Sequence, residues 1–164
     1  MSSLAPFGAR ALSHADVGSV AAPAGTFDVL GVRLGDEDYA LPLAQVREIL
    51  KVPAVTDVPR GPPAVLGILS LRGTVVTLFD LRLRLGLPSR PVDRRTRVLI
   101  VSRGDEPVGL LVDAVTEVIR LRQEDVEDHP AIIATAHVDY YAGIARRRDA
   151  LWVLLDLKAL LESL

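Results

Sequence analysis

The 164-residue chain has no cysteine, which excludes disulfides, thiolate metal sites and a cysteine nucleophile together. Aromatic residues are scarce, at three phenylalanines, three tyrosines and one tryptophan, and only Lys51 and Lys158 are lysines among 19 basic residues. Against these stand 21 acidic residues and a formal net charge of −2, so the basic face and stacking platforms of a nucleic-acid binder are not expected. No apolar run approaches the ~18 residues of a membrane-spanning helix. Met1 to Ala24 lacks the basic stretch and continuous apolar segment of a secretory signal. The histidines are His14, His129 and His137, and the spacing of the last two matches no metal-ligand pattern. A glycine-rich phosphate loop and a nucleophile elbow are also missing. These absences predict a soluble cytosolic protein with no metal site and no catalytic centre.

What is present is apolar patterning. Hydrophobic residues make up 49% of the chain, too many for a disordered protein and enough for one domain or two small ones sharing a core. Residues 1–25, rich in Ala, Ser, Gly and Pro, read as a flexible tail. Strands are expected at Phe27–Leu34 and Tyr39–Leu43. From Leu43 to Leu50 periodicity does not separate a short helix from a strand. Ile68–Leu71 and Thr74–Phe79 flank Arg72-Gly73 as a hairpin, with Asp80 placed to cap a helix after it. Three strands follow between Thr96 and Ile119, then a pair near Tyr140–Arg146 and Leu151–Leu155. Leu157, Leu160, Leu161 and Leu164 form one face of a closing helix.

Self-similarity organises these elements. Gly67–Leu85 lies on Gly143–Leu161 at a shift of 76 residues without gaps, with seven of 19 positions identical: Gly67, Ile68, Arg72, Leu78, Asp80, Leu81 and Leu85. Tyr39–Leu50 lies more weakly on Val108–Ile119 at a shift of 69, matching Leu41, Val46 and Glu48 to Leu110, Val115 and Glu117. Two related β-subdomains are therefore expected, at about 27–88 and 96–164, each too small to fold without the other. The candidate charged clusters have structural explanations. Asp80 and Asp156 fit helix caps, Glu124–Asp128 a solvated loop, and Arg146-Arg147-Arg148 a solvated turn.

The order Gly35–Leu43, Val46–Leu50, Val58-Pro59, Pro63, Val65–Ile68, Leu71–Gly73, Phe79–Leu81, Val108–Asp113, Val115, Glu117-Val118, Gly143-Ile144 and Leu155–Leu157 resembles the CheW family of chemotaxis coupling proteins. The resemblance runs from about Phe27 to the end, so 26–164 is expected to be one CheW-like domain. It implies an all-β fold with short helices, built as two SH3-like five-stranded β-barrels. It further implies a non-enzymatic adaptor, without cofactor, that couples chemoreceptors to a CheA-type histidine kinase. Partners would be the kinase regulatory domain, at the barrel ends, and the receptor's helical tip, at the groove between barrels. The protein would be cytoplasmic and recruited to membrane receptor arrays, with no insertion of its own.

By the same resemblance, the family's Val-x-Glu-Ile receptor-docking segment falls on Val46, Glu48 and Ile49, and its coupling arginine before glycine falls on Arg72. The alternative is that Val46 and Ile49 are core residues and Arg72 a solvated turn residue. Ser70 departs from the family's usual asparagine, and Thr77 from its common proline. Taken as full length, the chain is expected to be neither a CheV-type receiver fusion nor the kinase. Two further readings stay open. One is a divergent paralogue that binds receptor but not kinase; the other is a small-molecule-binding β-barrel with a deep enclosed pocket.

Overall fold

The computed structural model describes residues 24–127 and 140–164. Most of the expected tail and the three histidines lie outside the described residues. Among the described residues eleven strands form in the order β1 (Thr26–Leu34), β2 (Glu37–Pro42), β3 (Val46–Lys51), β4 (Val65–Leu71), β5 (Thr74–Asp80), β6 (Arg97–Arg103), β7 (Glu106–Val112), β8 (Ala114–Arg122), β9 (Val126–Glu127), β10 (Tyr141–Arg147) and β11 (Ala150–Leu155). One-turn helix α1 (Leu81–Arg84) follows β5, and α2 (Leu157–Glu162) follows β11. Asp80 and Asp156 cap them as the sequence predicts, accepting from the Arg82 and Ala159 amides.

The ambiguous segment after Leu43 resolves into a 3₁₀ turn, Leu43–Gln45, and then β3. A bulge between Val46 and Glu48 explains the ambiguity. The extra residue turns Val46 and Ile49, three apart, towards the same core, which imitates helical spacing.

The strands make a six-stranded sheet in the order β8-β1-β2-β11-β10-β9 and a five-stranded sheet in the order β3-β6-β7-β5-β4. Each sheet takes strands from both sides of the 88–96 link, which differs from the contiguous halves expected of the repeat. The first hairpin of each repeat is exchanged. β1–β2 pairs with β8 and β11, while β6–β7 pairs with β3 and β5. Under the two shifts β1–β2 corresponds to β6–β7, β3 to β8, and β4–β5–α1 to β10–β11–α2. The short β9, paired with Ile144, matches a single bridge from Thr56 to Ile68.

Apolar alternation shows why the exchange is stable. In β6, Val98 and Ile100 join a cluster confined to the five-stranded sheet, whereas Leu99 and Val101 join a cluster drawn from both sheets. In β2, Ala40 belongs to the six-stranded sheet's own cluster, and Tyr39 and Leu41 to the shared one. Both faces of the exchanged hairpins are thus buried, so they read as continuous apolar runs. Each sheet curls round its own small core, and the largest cluster lies between the sheets. At ~1.5–3 kcal/mol per buried aliphatic side chain, the shared cluster dominates the stability of the pair.

Two repeated glycines are fixed by strand crossing. A Cβ on Gly67 would overlap the Thr56 carbonyl oxygen and fall 2.7 Å from Val55 Cγ1; one on Gly143 would fall 2.9 Å from the Glu127 carbonyl oxygen. Gly67→Ala is therefore predicted to cost about 2–3 kcal/mol, from forced overpacking. Thermal unfolding should register a drop of roughly 5–10 °C, with Gly143→Ala showing a smaller drop.

Candidate functional site

Glu48 and Arg72, singled out from different parts of the sequence, form a bidentate ion pair. Arg72 Nη1 donates to Glu48 Oε2 at 2.8 Å, and Arg72 Nη2 donates to Glu48 Oε1. β3 and β4 are opposite edges of the five-stranded sheet, so this pair ties the edges together where the sheet curls shut. The fork of a guanidinium matches the two carboxylate oxygens, a geometry lysine lacks. Arg72 and Gly73 occupy the β4–β5 turn with φ of +50° and +83°, the left-handed pair that a two-residue hairpin turn demands. A non-glycine residue there is strained and persists where its surroundings hold it.

The pair is asymmetric. Glu48's side chain is 9% exposed and Arg72's is 67% exposed, so a buried carboxylate presents a guanidinium to solvent. The hydrogen bonds that Arg72 donates to Glu48, followed by the charge of Glu48, hold the Arg72 pKa above the usual arginine value. The second repeat also turns in two residues, Arg148-Asp149, but only Arg148 has a positive φ and the pair is absent. Arg148 has φ of +56°, but Glu117, the counterpart of Glu48, is exposed, and the two form no ion pair among the described residues. Its neighbours serve the surface: Arg146 approaches Glu127 at 3.8 Å and Arg147 donates to the Arg120 carbonyl. Val46 and Ile49 are 0% and 2% exposed and point into the shared core beneath Glu48, as the alternative reading expected.

A second constellation escaped sequence reading. Arg82, 1% exposed, donates Nε and Nη2 to the two oxygens of fully buried Asp80 at 2.9 Å each, and Nη1 to Asp113 Oδ1 at 2.6 Å. Asp113 Oδ2 in turn accepts from the Gly35 amide at 2.6 Å. Asp80 and Arg82 follow β5 of the five-stranded sheet, and Gly35 lies in the β1–β2 turn of the six-stranded one. The network is therefore a clasp between sheets. Hydrogen bonding to Asp80 raises the Arg82 pKa against the opposing effect of burial. Asp80 was recognisable as a cap, but its second role depends on Asp113, distant in sequence and absent from the matching position of the other repeat, Ala44.

An open groove of about 700 Å³ lies between β3, the β6–β7 turn and α2, lined by Ala44, Arg47, Arg103, Lys158, Leu161 and Glu162 among others. It is not the deep enclosed pocket a small-molecule barrel requires. No group of three or more potential metal ligands occurs among the described residues. No helix among them is long and apolar enough to cross a membrane.

Two curled sheets with a shared core, an exposed guanidinium held by a buried acid, and an open inter-sheet groove define a protein-binding scaffold. The CheW-like domain family matches residues 28–164, and the chain belongs to that family. It is 36% identical over 134 residues to the chemotaxis protein CheW of Helicobacter pylori, covering 82% of this chain and 81% of that one. It is 31% identical over 127 residues to CheW of Bacillus subtilis, covering 77% and 81%. The crystal structure of the scaffolding protein TtCheW from Thermoanaerobacter tengcongensis superimposes with a TM-score of 0.75 at 30% identity, covering 82% of this chain and 91% of that one. The two sheets are thus the two SH3-like subdomains of a chemotaxis adaptor.

Removing Arg82 alone leaves buried Asp80 and half-buried Asp113 without their cation. Arg82→Met is predicted to lower stability by about 3–5 kcal/mol. Equilibrium denaturation measures the loss, and a triple replacement that also removes both carboxylates should recover much of it.

Proposed function

We propose that this protein links the cytoplasmic helical tip of a chemoreceptor to the regulatory domain of a CheA-type histidine kinase, acting in the cytoplasm at membrane receptor arrays and catalysing nothing itself. The observation that carries this reading is the Glu48–Arg72 pair, which the family resemblance singled out and which only one repeat forms. A surface arginine anchored by a buried acid is a poor general acid or base, since its pKa is raised further from neutrality. It is a good recognition group, because the fork is pre-oriented and loses little freedom on contact.

In this reading Val46 and Ile49 act from below. Their burial fixes the bulged β3 and hence the direction of Glu48, and Glu48 fixes Arg72. A receptor helix laid along the inter-barrel groove would meet the rim near Arg47, one residue before Glu48, so receptor contact and the ion pair share one strand. Kinase contacts fall at the barrel ends. The coupling surface is therefore a rigid element touching one partner and held by a bond that the other partner can sense.

Arg72→Glu places two acids together while leaving the core untouched. It is expected to reduce receptor-stimulated kinase activity at least tenfold in a reconstituted receptor, adaptor and kinase mixture, with the circular dichroism spectrum of the adaptor unchanged. Full stimulation by the variant would remove Arg72 from the coupling site.

A further inference from the structure

The exchanged hairpins create two equivalent junctions between the sheets, and comparing them shows what the open groove is missing. At the first junction, the clasp of Arg82, Asp80 and Asp113 fills the space beside the Gly35 turn. The link after α1 lies across it, with Arg90 reaching Asp36 at 3.3 Å and Ser89 reaching Asp80 at 3.4 Å. The cavity left there, lined by Arg33, Gly35, Arg90 and Asp113 among others, is about 90 Å³.

At the second junction the two shifts place Gly104 where Gly35 stands, Ser102 for Arg33, Leu161 for Leu85 and Lys158 for Arg82, but Ala44 for Asp113. The cation is kept and one of its two carboxylates is cut back to a methyl group; the other, Asp80, is retained as Asp156, which accepts from the Ala159 amide. No described residue takes the place of the link, and the cavity is about 700 Å³. Lys158 is exposed and makes no ion pair among the described residues. Arg47 donates to Ser102 Oγ at 3.2 Å, and Arg103 pairs with Glu106 at 2.8 Å. Three cations thus line the groove, Arg103 already paired with Glu106, against one lining acid, Glu162, over an apolar floor that includes Ala44 and Leu161. That local sign is opposite to the chain's net charge of −2.

We infer that the open groove recognises an acidic side chain on the partner segment, an aspartate or glutamate entering where Asp113 sits in the first junction and pairing with Lys158, with Arg47 and Arg103 flanking it. The inference rests on the reading that the receptor tip occupies this groove, and it adds the chemistry of recognition. A cationic site over an apolar floor fits an amphipathic helix that carries an acid beside its apolar face. The first junction shows that a carboxylate is accommodated in this geometry, since the protein supplies its own there.

The test rebuilds the first junction in the second. The double variant A44D/K158R supplies an internal carboxylate and guanidinium, so the groove satisfies itself. Binding of a soluble chemoreceptor cytoplasmic-tip fragment and of the kinase regulatory domain is measured separately by calorimetry. The expected result is receptor-fragment affinity at least tenfold weaker, kinase-domain affinity unchanged and melting temperature not lowered. Lys158→Glu, at an exposed position outside the core, should weaken the fragment similarly, and the wild-type affinity should fall with added salt. Unchanged fragment affinity in both variants overturns the carboxylate site while leaving the adaptor reading in place. Failure of the wild-type protein to bind the fragment overturns the adaptor reading, and this inference with it.

Discussion

The pairing of β1–β2 with β8 and β11, and of β6–β7 with β3 and β5, is the constraint on which the rest depends. Each repeat contributes its first hairpin to a sheet otherwise built by its sibling, so neither sheet exists without both halves of the chain. The hairpins are buried on both faces, one towards a small private core and one towards the large shared core. A domain of this size divided into two independent barrels would bury too little surface in each. Exchange removes that difficulty and fixes the relative position of the barrels, because strand register leaves no freedom to slide.

A rigid relation between barrels is what an adaptor with two partners needs. The Glu48–Arg72 pair joins the two edges of one sheet, and the Arg82 clasp joins one sheet to the other. The two bonds differ in character. Arg82 is enclosed and its carboxylates are satisfied by several donors, so it holds the architecture. Arg72 is largely in water and its contribution to stability is small; its value lies in orientation. The turn that carries it is strained in both repeats, at Arg72 and Arg148, yet only the first has an acid in reach.

Much of the fold was legible in the sequence. The repeat exposed two copies of a hairpin with an Asp-capped helix, and both are present. The exchange of hairpins was not legible, because strand pairing between repeats leaves the same apolar pattern in the chain as pairing within them. Val46 and Ile49 read as helix-like because a bulge, invisible in composition, altered their spacing. Of the four candidate site residues, Glu48 and Arg72 meet, although 24 residues apart, and Val46 and Ile49 support them from the core. Arg82 and Asp113 went unnoticed as a pair since each has an ordinary local role, as helix residue and as strand connector. The replacement of Asp113 by Ala44 in the matching copy was the available signal, and its meaning appears only when both junctions are seen together.

The central claim, that this chain is a non-enzymatic bridge, is tested most directly by asking whether both partners bind at once. Analytical ultracentrifugation of the protein with a chemoreceptor cytoplasmic-tip fragment and a CheA-type regulatory domain would answer it. The account predicts a ternary species containing all three, with neither partner displacing the other. Competition between receptor fragment and kinase domain for one surface, or binary complexes alone, would contradict it.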